Sequence, residues 1–522
     1  MKLQYLIIGA VCMGLFGSCT KDLDRIPANS TTAELLYKDV KGYSEALAKI
    51  YGGLALTGNQ GPAGNGDLRG LDEGFSSYLR GYFNLQELPT DEAVVGWNDQ
   101  TIHDFHDMDW TASDNFNRTL YSRIFFQITL ANAFIKESTD ESVAARGITG
   151  ADADRIKLYH AEARFLRALS YWHAIDLFGN TTFVTEESGI GAFLPEQKNR
   201  ADIFAYIESE CKEIETVMAE PRANEYARAD KGAVWMLLAN LYLNAQVYTG
   251  TARWADAATY AQKVIGGGYS LQTKYEDLFK ADNQSSPEMI FLVSFDGTKT
   301  QTFGGTTFLS HCSVGGSMDP KSFGVNGGWA GYRATSALVK KFDDISGTTD
   351  KRPLFYTNGQ TLEIKDIGTF TDGYAVAKWR NIKSNGGAPS NYDYADIDFP
   401  IFRLAEAYLI AAEAKWRINN GDPEAIALIN KVVERAYGNS SHNYSTVLTE
   451  TNILDERARE LYWECKRRTD LIRFGKFTSG NYLWPWKGNV AGGTAVESFR
   501  SIYPIPSPEI NSNPNLVQNP GY

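Results

Sequence analysis

The sequence predicts a mainly α-helical protein in which tetratricopeptide-like helix pairs carry a large, loop-rich and partly irregular face. Residues 118–136 place apolar side chains at 120, 124, 128, 131 and 135, and residues 154–178 continue the same spacing. Steps of three and four residues are typical of a buried helix face. Gly179-Asn180 predicts the end of the second helix, because both residues tolerate the left-handed conformation.

Further apolar stripes extend the helical scaffold over residues 118–280 and 401–475. They cover residues 202–218, 229–248, 254–265, 401–418 and 423–436. In residues 161–171, 232–242 and 404–414, small side chains recur every three or four positions among larger apolar ones. Helix pairs of about 34 residues with this spacing resemble tetratricopeptide units, although a generic helical bundle remains an alternative.

Three regions, 57–115, 281–395 and 476–522, lack the helical period and are predicted to be rich in loops. An insertion as long as residues 281–395 is usually either functional or disordered, and its aromatic residues favour order. Several prolines lie in residues 503–514. We expect that stretch to extend over the surface rather than form a helix.

The N-terminus has the pattern of an exported lipoprotein. Lys2 precedes an apolar run over residues 3–16, and Gly17-Ser18-Cys19 forms a small-residue junction. The run is too short to span a bilayer and therefore predicts a signal peptide over residues 1–18. We expect Cys19 to carry lipid through its thiol and amino group, at the start of a single domain over residues 19–522. A plain secretory signal cut near Ser18 is the alternative.

Charge and cysteine content exclude several classes of partner and cofactor. The chain carries 51 basic and 63 acidic residues. This surface repels nucleic acid and does not attract anionic lipid head groups, so only a lipid anchor would attach it to a membrane. Cys211, Cys312 and Cys465 are too widely spaced for a disulfide framework or a metal site, and we expect buried thiols.

Catalytic motifs are absent, and we predict that the protein is not an enzyme and has no cofactor or metal. The sequence has no Gly-x-Ser-x-Gly elbow, no phosphate-binding Gly-x-x-x-x-Gly-Lys and no His-Glu-x-x-His. His103 and His106 form the nearest approach to a metal cluster, among Asp104, Asp107 and Asp109. In so acidic a loop, the pattern favours solvated surface over a metal site.

Aromatic residues in the loops indicate sugar binding. Sugar rings present apolar C–H faces edged by hydroxyls, which stacked aromatic rings and polar side chains recognise together. Trp97 is followed by Asn98-Asp99-Gln100, Phe303 follows Gln301, and Trp329 lies in a glycine-rich loop. Core packing is the alternative for each ring alone, but their shared location in glycine-rich loops favours binding.

Several stretches together resemble the SusD/RagB family of surface glycan-binding lipoproteins of Bacteroidetes. They lie over nearly the full length of the chain. The matching stretches are residues 87–92 (ELPTDE), 164–169 (RFLRAL), 176–179 (DLFG), 228–231 (RADK), 402–408 (FRLAEAY), 457–461 (RAREL), 467–475 (RRTDLIRFG) and 503–506 (YPIP).

The resemblance implies a scaffold of four tetratricopeptide-like helix pairs and a SusC-like TonB-dependent transporter as partner. It also implies a location at the cell surface, anchored by lipid to the outer membrane. The binding loops look most similar to those of the family's founding starch-binding member. They imply an aromatic arc with hydroxyl-pairing neighbours, formed by Trp97, Trp329, Phe303, Asp67, Arg80 and Gln100.

Two positions depart from that pattern and leave the glycan open. Phe303 stands where a tyrosine is expected, and Gln100 where an asparagine is expected. A curved arc of rings would suit a helical α-glucan such as starch, and a flat row would suit a straight β-glucan. Two further alternatives are a helical-repeat scaffold that binds peptides and a glycoside hydrolase, although no carboxylate pair is singled out for hydrolysis.

Overall fold

The structure is a computed structural model that describes residues 32–62, 64, 66–99, 101–188 and 193–522. The signal-peptide and lipidation predictions, including Cys19, lie outside these residues, as does Gln100. The α-helices are α1 (Ala33–Leu36), α2 (Val40–Ala55), α3 (Tyr78–Glu87), α4 (His103–Asp107), α5 (Asn115–Glu137), α6 (Asp140–Ala145), α7 (Ala151–Phe178), α8 (Arg200–Ile214), α9 (Lys231–Leu243), α10 (Ala245–Thr249), α11 (Trp254–Ile265), α12 (Gly305–Cys312), α13 (Ser336–Val339), α14 (Leu404–Ile418), α15 (Pro423–Tyr437), α16 (Glu450–Leu461), α17 (Arg467–Arg473) and α18 (Ser507–Ser512).

The strands are short and pair antiparallel in twos: β1 with β5, β2 with β3, β4 with β8, and β6 with β7. Their bounds are β1 (Val94–Val95), β2 (Thr181–Phe183), β3 (Glu196–Lys198), β4 (Met289–Val293), β5 (Tyr332–Arg333), β6 (Phe355–Tyr356), β7 (Ala375–Val376) and β8 (Phe399–Arg403). Short 3₁₀ turns lie at Tyr275–Phe279, Asn283–Ser285, Pro320–Phe323, Lys487–Asn489 and Ser498–Ser501.

The predicted mainly α-helical class is confirmed. Helices α5, α7, α8, α9, α11, α14 and α15 pack side by side in that order. Their apolar stripes meet in one continuous core, as the spacing predicts. Helix α7 ends at Phe178, and Gly179 follows with φ 67°. The division into tetratricopeptide-like pairs stays a prediction.

Two of the regions predicted as loop-rich contain buried helices. All of α12 and nearly all of α3 are buried. Both helices are short and carry polar side chains, such as Gln86 and Thr307, that are buried, so burial does not follow the pattern of polar and apolar residues. The expectation of an extended C-terminal tail is also wrong in part. Residues 507–512 form α18, because Pro508 occupies the first turn, where a missing N–H costs nothing.

Two further expectations can be compared with the described residues. Cys211, Cys312 and Cys465 are free and buried, as predicted. Within the described ranges, no helix combines the length and the apolarity that crossing a membrane requires.

Buried carboxylates of residues 87–92 tie the first half of the chain to the second. Asp91 accepts hydrogen bonds from Arg467 at 2.6 and 2.7 Å, and both side chains are almost fully buried. Glu92 accepts the Trp463 N–H at 3.0 Å, and Glu87 accepts the Cys465 N–H. Two of the stretches that suggested the family, 87–92 and 467–475, are therefore joined directly in the core.

Burial disfavours the charged forms of Glu87 and Glu92. Burial raises the pKa of Glu87 well above its usual range, and burial also raises the pKa of Glu92 to about 7. Asp91 differs: burial opposes its ionisation, but Arg467 nevertheless holds its pKa below the usual range.

We expect this pair to make the protein less stable as pH rises. A carboxyl whose pKa is raised on folding stabilises the fold below its unfolded pKa, near 4.5, and this contribution is lost as pH climbs towards the folded value. Glu87→Gln keeps the hydrogen bond without the titration. Between pH 5 and 7, its free energy of unfolding should fall less steeply than that of the wild type, by about 1.4 kcal/mol per pH unit.

Urea unfolding at a series of pH values measures this slope. Glu225, whose side chain is 80% exposed, provides the control substitution Glu225→Gln, which should follow the wild type. Equal slopes for Glu87→Gln and wild type would contradict a raised pKa of Glu87 in the folded protein.

Candidate functional site

The pairing of β1 with β5 brings two tryptophans together that are far apart in the sequence. Val95 faces Tyr332 in the antiparallel register, and Gly96 donates its N–H to the Gly331 carbonyl at 2.9 Å. The next residue, Trp97, donates its indole N–H to the Trp329 carbonyl at 2.8 Å. This bond fixes the Trp97 side chain against the loop that carries Trp329.

The two indole rings form an inclined pair at the surface. Their centroids lie 6.2 Å apart and their planes meet at 51°. Both side chains are half-buried. Because their polar N–H and backbone groups are partly used inside the protein, the rings offer mainly apolar faces to a ligand.

A layer of buried aromatic residues supports the pair from behind. Phe308 and Tyr332 are fully buried, with centroids 6.3 and 5.2 Å from that of Trp97. The His311 ring lies 4.8 Å from Trp329, inclined by 31°. Its Nδ1 lies 2.8 Å from the Thr307 carbonyl, and burial lowers the pKa of His311, so the ring packs as a neutral imidazole. None of these three residues is among the predicted site residues.

Arg80 lies beside the tryptophans near the start of α3. Ser77 caps that helix by accepting the Arg80 N–H. The Arg80 Cζ atom lies 4.7 Å from the Phe308 ring centroid and 5.7 Å from that of Trp97, within cation–π range. Its Nη1 donates to the Gly74 carbonyl at 2.7 Å and lies 3.5 Å from the Phe303 carbonyl.

Carboxylates lie close enough to Arg80 to affect its ionisation. Burial lowers the pKa of the guanidinium, and the charges of Asp99 and Asp72 oppose that shift. Asp99 follows Trp97 by two positions and is exposed, and Asp72 accepts the Gly74 N–H at 2.7 Å. Asp72 is a polar neighbour of the site that sequence analysis missed, because loop geometry rather than a motif places it there.

Phe303 joins the site through its backbone and presents its ring separately. Its side chain is half-buried and packs against Tyr394, with ring centroids 5.8 Å apart. The structure therefore brings Trp97, Trp329, Arg80 and Phe303 into one surface region. This aromatic site, as we term it, contains four of the six residues that were predicted to bind glycan.

Asp67 has a different immediate environment. Its carboxylate accepts hydrogen bonds from Lys49 at 2.9 and 3.0 Å and lies 4.0 Å from Arg123. Arg123 in turn donates to the Ser76 carbonyl at 2.6 Å, next to the cap of α3. In the structure Asp67 stabilises the loop that precedes Arg80, and direct contact with a ligand stays a prediction.

The histidine pair that follows Trp97 is not a solvated surface feature. His106 is only 3% exposed, and its Nδ1 lies 2.8 Å from Asp107, which corrects the surface interpretation of that residue. Helix α4 is packed against the rest of the protein, so its polar side chains are buried or half-buried. Within the described ranges, no group of three histidine, cysteine or carboxylate side chains is arranged to hold a metal ion.

Gly331 provides a direct test of the Trp97 position. A methyl group on its Cα would lie 2.2 Å from Trp97 Cε2 and 2.4 Å from Nε1. Gly331→Ala should therefore displace the indole and break its hydrogen bond to Trp329, which a shifted or broadened Trp97 indole N–H resonance would report. Gly327→Ala, in the same loop with open space around it, should leave the resonance unchanged. An unaffected Trp97 resonance in Gly331→Ala would disprove the described packing.

Comparisons with known proteins agree with this architecture. Residues 349–522 match the sequence profile of the SusD family. Two solved structures are similar: surface glycan-binding protein A from Bacteroides thetaiotaomicron in complex with laminarihexaose (TM-score 0.69, 19% identity, 92% of this chain and 99% of that chain) and a laminarin-binding SusD-like protein (TM-score 0.70, 21% identity, 92% and 99%).

A full-length relative establishes the family. Over 553 aligned positions the chain is 38% identical to the starch-binding protein SusD of Bacteroides thetaiotaomicron, covering 97% of this chain and 96% of that protein. Identity at this level over almost the whole of both sequences shows common descent rather than a shared fold alone. The chain therefore belongs to the SusD family.

Proposed function

We propose that the protein is a non-catalytic, cell-surface lipoprotein that captures a starch-like α-glucan at the aromatic site. One observation carries the choice of ligand: the Trp97 and Trp329 planes meet at 51°. Inclined faces follow the curve of a helical α-glucan, whereas a straight β-linked chain would be matched by a flat row of rings. The full-length similarity to a starch-binding relative supports the same choice.

The chemistry of the site favours binding over hydrolysis. Stacking rings recognise the apolar faces of sugars, and Arg80 with Asp99 and Asp72 can pair their hydroxyls. Hydrolysis would need an acid and a second carboxylate on opposite sides of one glycosidic bond. Of the carboxylates near Arg80, Asp72 already accepts the Gly74 N–H, and Asp99 lies in the exposed loop after Trp97. Glycan captured here would leave with its bonds intact.

Delivery of the glycan to a transporter follows from the proposed location of the protein at the cell surface. Lipid on Cys19 would hold the aromatic site at the outer surface of the outer membrane, linked by the polar residues after Cys19. A SusC-like TonB-dependent transporter would then accept the glycan. This step rests on the family resemblance, and co-purification of such a transporter with the full-length protein is its direct test.

Affinity should rise with the length of the oligosaccharide. Each stacked ring contributes little after its costs in water contacts and chain freedom, so a longer chain that spans Trp97, Trp329 and Phe303 gains more. By calorimetry on the full-length protein, maltoheptaose should bind at least tenfold more tightly than maltotriose. Trp329→Ala should weaken maltoheptaose binding by about tenfold, or about 1.4 kcal/mol.

Controls separate the alternatives. Trp235→Ala removes a half-buried tryptophan of the helical scaffold and should bind maltoheptaose like the wild type. Tighter binding of laminarihexaose than of maltoheptaose would favour a β-glucan ligand. Release of reducing ends from amylopectin would indicate a hydrolase. Failure to bind any of these glycans would favour a peptide-binding scaffold.

Phe303→Tyr should strengthen binding. The phenylalanine keeps a stacking face but lacks the phenol oxygen expected at this position, and a hydroxyl that bonds a sugar contributes about 1 kcal/mol, or about fivefold in Kd. Phe193→Tyr adds the same oxygen at an exposed ring elsewhere and should have no effect. Calorimetry with maltoheptaose compares the two variants, and an unchanged Kd for Phe303→Tyr would remove this residue from the binding surface.

A further inference from the structure

A second group of aromatic and polar side chains lines an open depression between α11 and α14. The depression has a volume of about 500 Å³ and is lined by Trp254, Trp416, Arg417, Ile418, Asn419 and Asn420. Trp254 is the first residue of α11, and the other residues belong to the last turn of α14 and the loop that follows it. None of them belongs to the aromatic site.

A guanidinium lies against both tryptophans of this depression. The Arg417 Cζ atom lies 5.7 Å from the Trp254 ring centroid and 5.8 Å from that of Trp416. Arg417 is held in place because its Nε donates to Glu413 at 2.8 Å. Trp416 is fixed as well, since its indole N–H donates to the Leu448 carbonyl at 2.8 Å.

The construction repeats that of the aromatic site. In each place an indole N–H is bound to a backbone carbonyl, and an arginine lies within cation–π range of that indole and of a second aromatic ring. The ring nearest to Arg417 is that of Phe474, at 4.5 Å. In each place amide side chains follow the tryptophan in sequence: Asn98 and Gln100 after Trp97, and Asn419 and Asn420 after Trp416. Fixed apolar ring faces with amide groups at their edge match the surface of a sugar.

The charges around the depression favour a neutral ligand. Arg417 shares the Glu413 carboxylate with Arg473, which also pairs with Asp470, and the chain as a whole carries a net charge of −12. An acidic polysaccharide or nucleic acid would be repelled by that net charge. The remaining lining groups are two exposed amides and Ile418, whose 56% exposed side chain adds apolar surface.

We propose that the depression at Trp254 and Trp416 is a second binding site for a neutral polysaccharide. The inference takes its class of ligand from the proposed function, but it concerns different residues. Two sites that engage separate segments of one polymer would hold it more tightly than either alone, without any added affinity for short oligosaccharides at the aromatic site.

The test separates the two sites with tryptophan variants of the full-length protein. One variant, Trp97→Ala with Trp329→Ala, disables the aromatic site; a second, Trp254→Ala with Trp416→Ala, disables the depression; a third carries all four changes. Saturation-transfer NMR with maltoheptaose, and in parallel with laminarihexaose, reports binding. We expect the first variant to retain transfer to one of these sugars and the fourfold variant to lose it.

Polymer retention gives a second readout. In native gels with amylopectin, the Trp254→Ala, Trp416→Ala variant should show an apparent Kd at least tenfold weaker than that of the wild type. Trp254→Phe with Trp416→Phe keeps ring faces and should recover most of the retention. Trp235→Ala, added to the first variant, should leave saturation transfer intact and serves as the matched control. Thermal unfolding of every variant confirms that each is folded.

Distinct outcomes overturn distinct statements. If the first variant shows no transfer, or the fourfold variant shows as much as the first, the second site is wrong. If the first variant binds the sugar as well as the wild type does, the proposal that the aromatic site binds glycan is wrong, and the proposal of a second site at the depression is unaffected. If changing Trp254 and Trp416 instead dissociates a dimer in analytical ultracentrifugation without affecting glycan, the depression is a protein interface and the inference fails.

Discussion

Three buried carboxylates in residues 87–92 fix the relation between the two halves of the molecule. Asp91 accepts two hydrogen bonds from Arg467. Glu87 accepts the backbone N–H of residue 465, and Glu92 accepts that of residue 463. Burying a carboxylate costs desolvation free energy, and the folded state offsets this cost only when the hydrogen-bonding partners are in place. Strand β1 follows this segment directly, so the position of Trp97 depends on it.

The aromatic site is rigid because several segments restrain the same rings. Trp97 is held by a backbone hydrogen bond, Trp329 lies on His311, and Arg80 covers Phe308 and Trp97. Little conformational freedom is left for a ligand to remove when it binds, which matters for sugars, whose individual contacts are weak. In the proposed function, the buried layer of Phe308 and Tyr332 would hold the rings in place without touching the ligand itself.

Sequence patterns predicted the helices and helix ends that are determined by interactions between residues close in sequence. The stripes of α5 and α7 and the glycine after Phe178 follow from helix periodicity and capping, and both are present. Helices α3 and α12 were not predicted because both are short and bury polar side chains, such as Gln86 and Thr307, among their apolar ones. Trp97 and Trp329 were predicted as site residues because large rings in glycine-rich loops are unusual. The structure places their rings side by side, and their contact with glycan stays a prediction. The contact of His311 with Trp329 and the salt bridge of Asp67 with Lys49 join separate segments of the chain, and Asp72 is placed by a local turn at Gly74. No sequence motif marks any of these three contacts.

The hydrogen bond between Trp97 and Trp329 spans 232 positions of sequence, and the bond from Cys465 to Glu87 spans 378. Such distant pairings form late, since the chain between them must first be ordered. A chain ordered only as far as Trp329 already possesses both rings, yet it lacks residues 463–467, which anchor the segment before β1. The geometry of the aromatic site therefore depends on the C-terminal part of the chain as well as on the two segments that carry the rings.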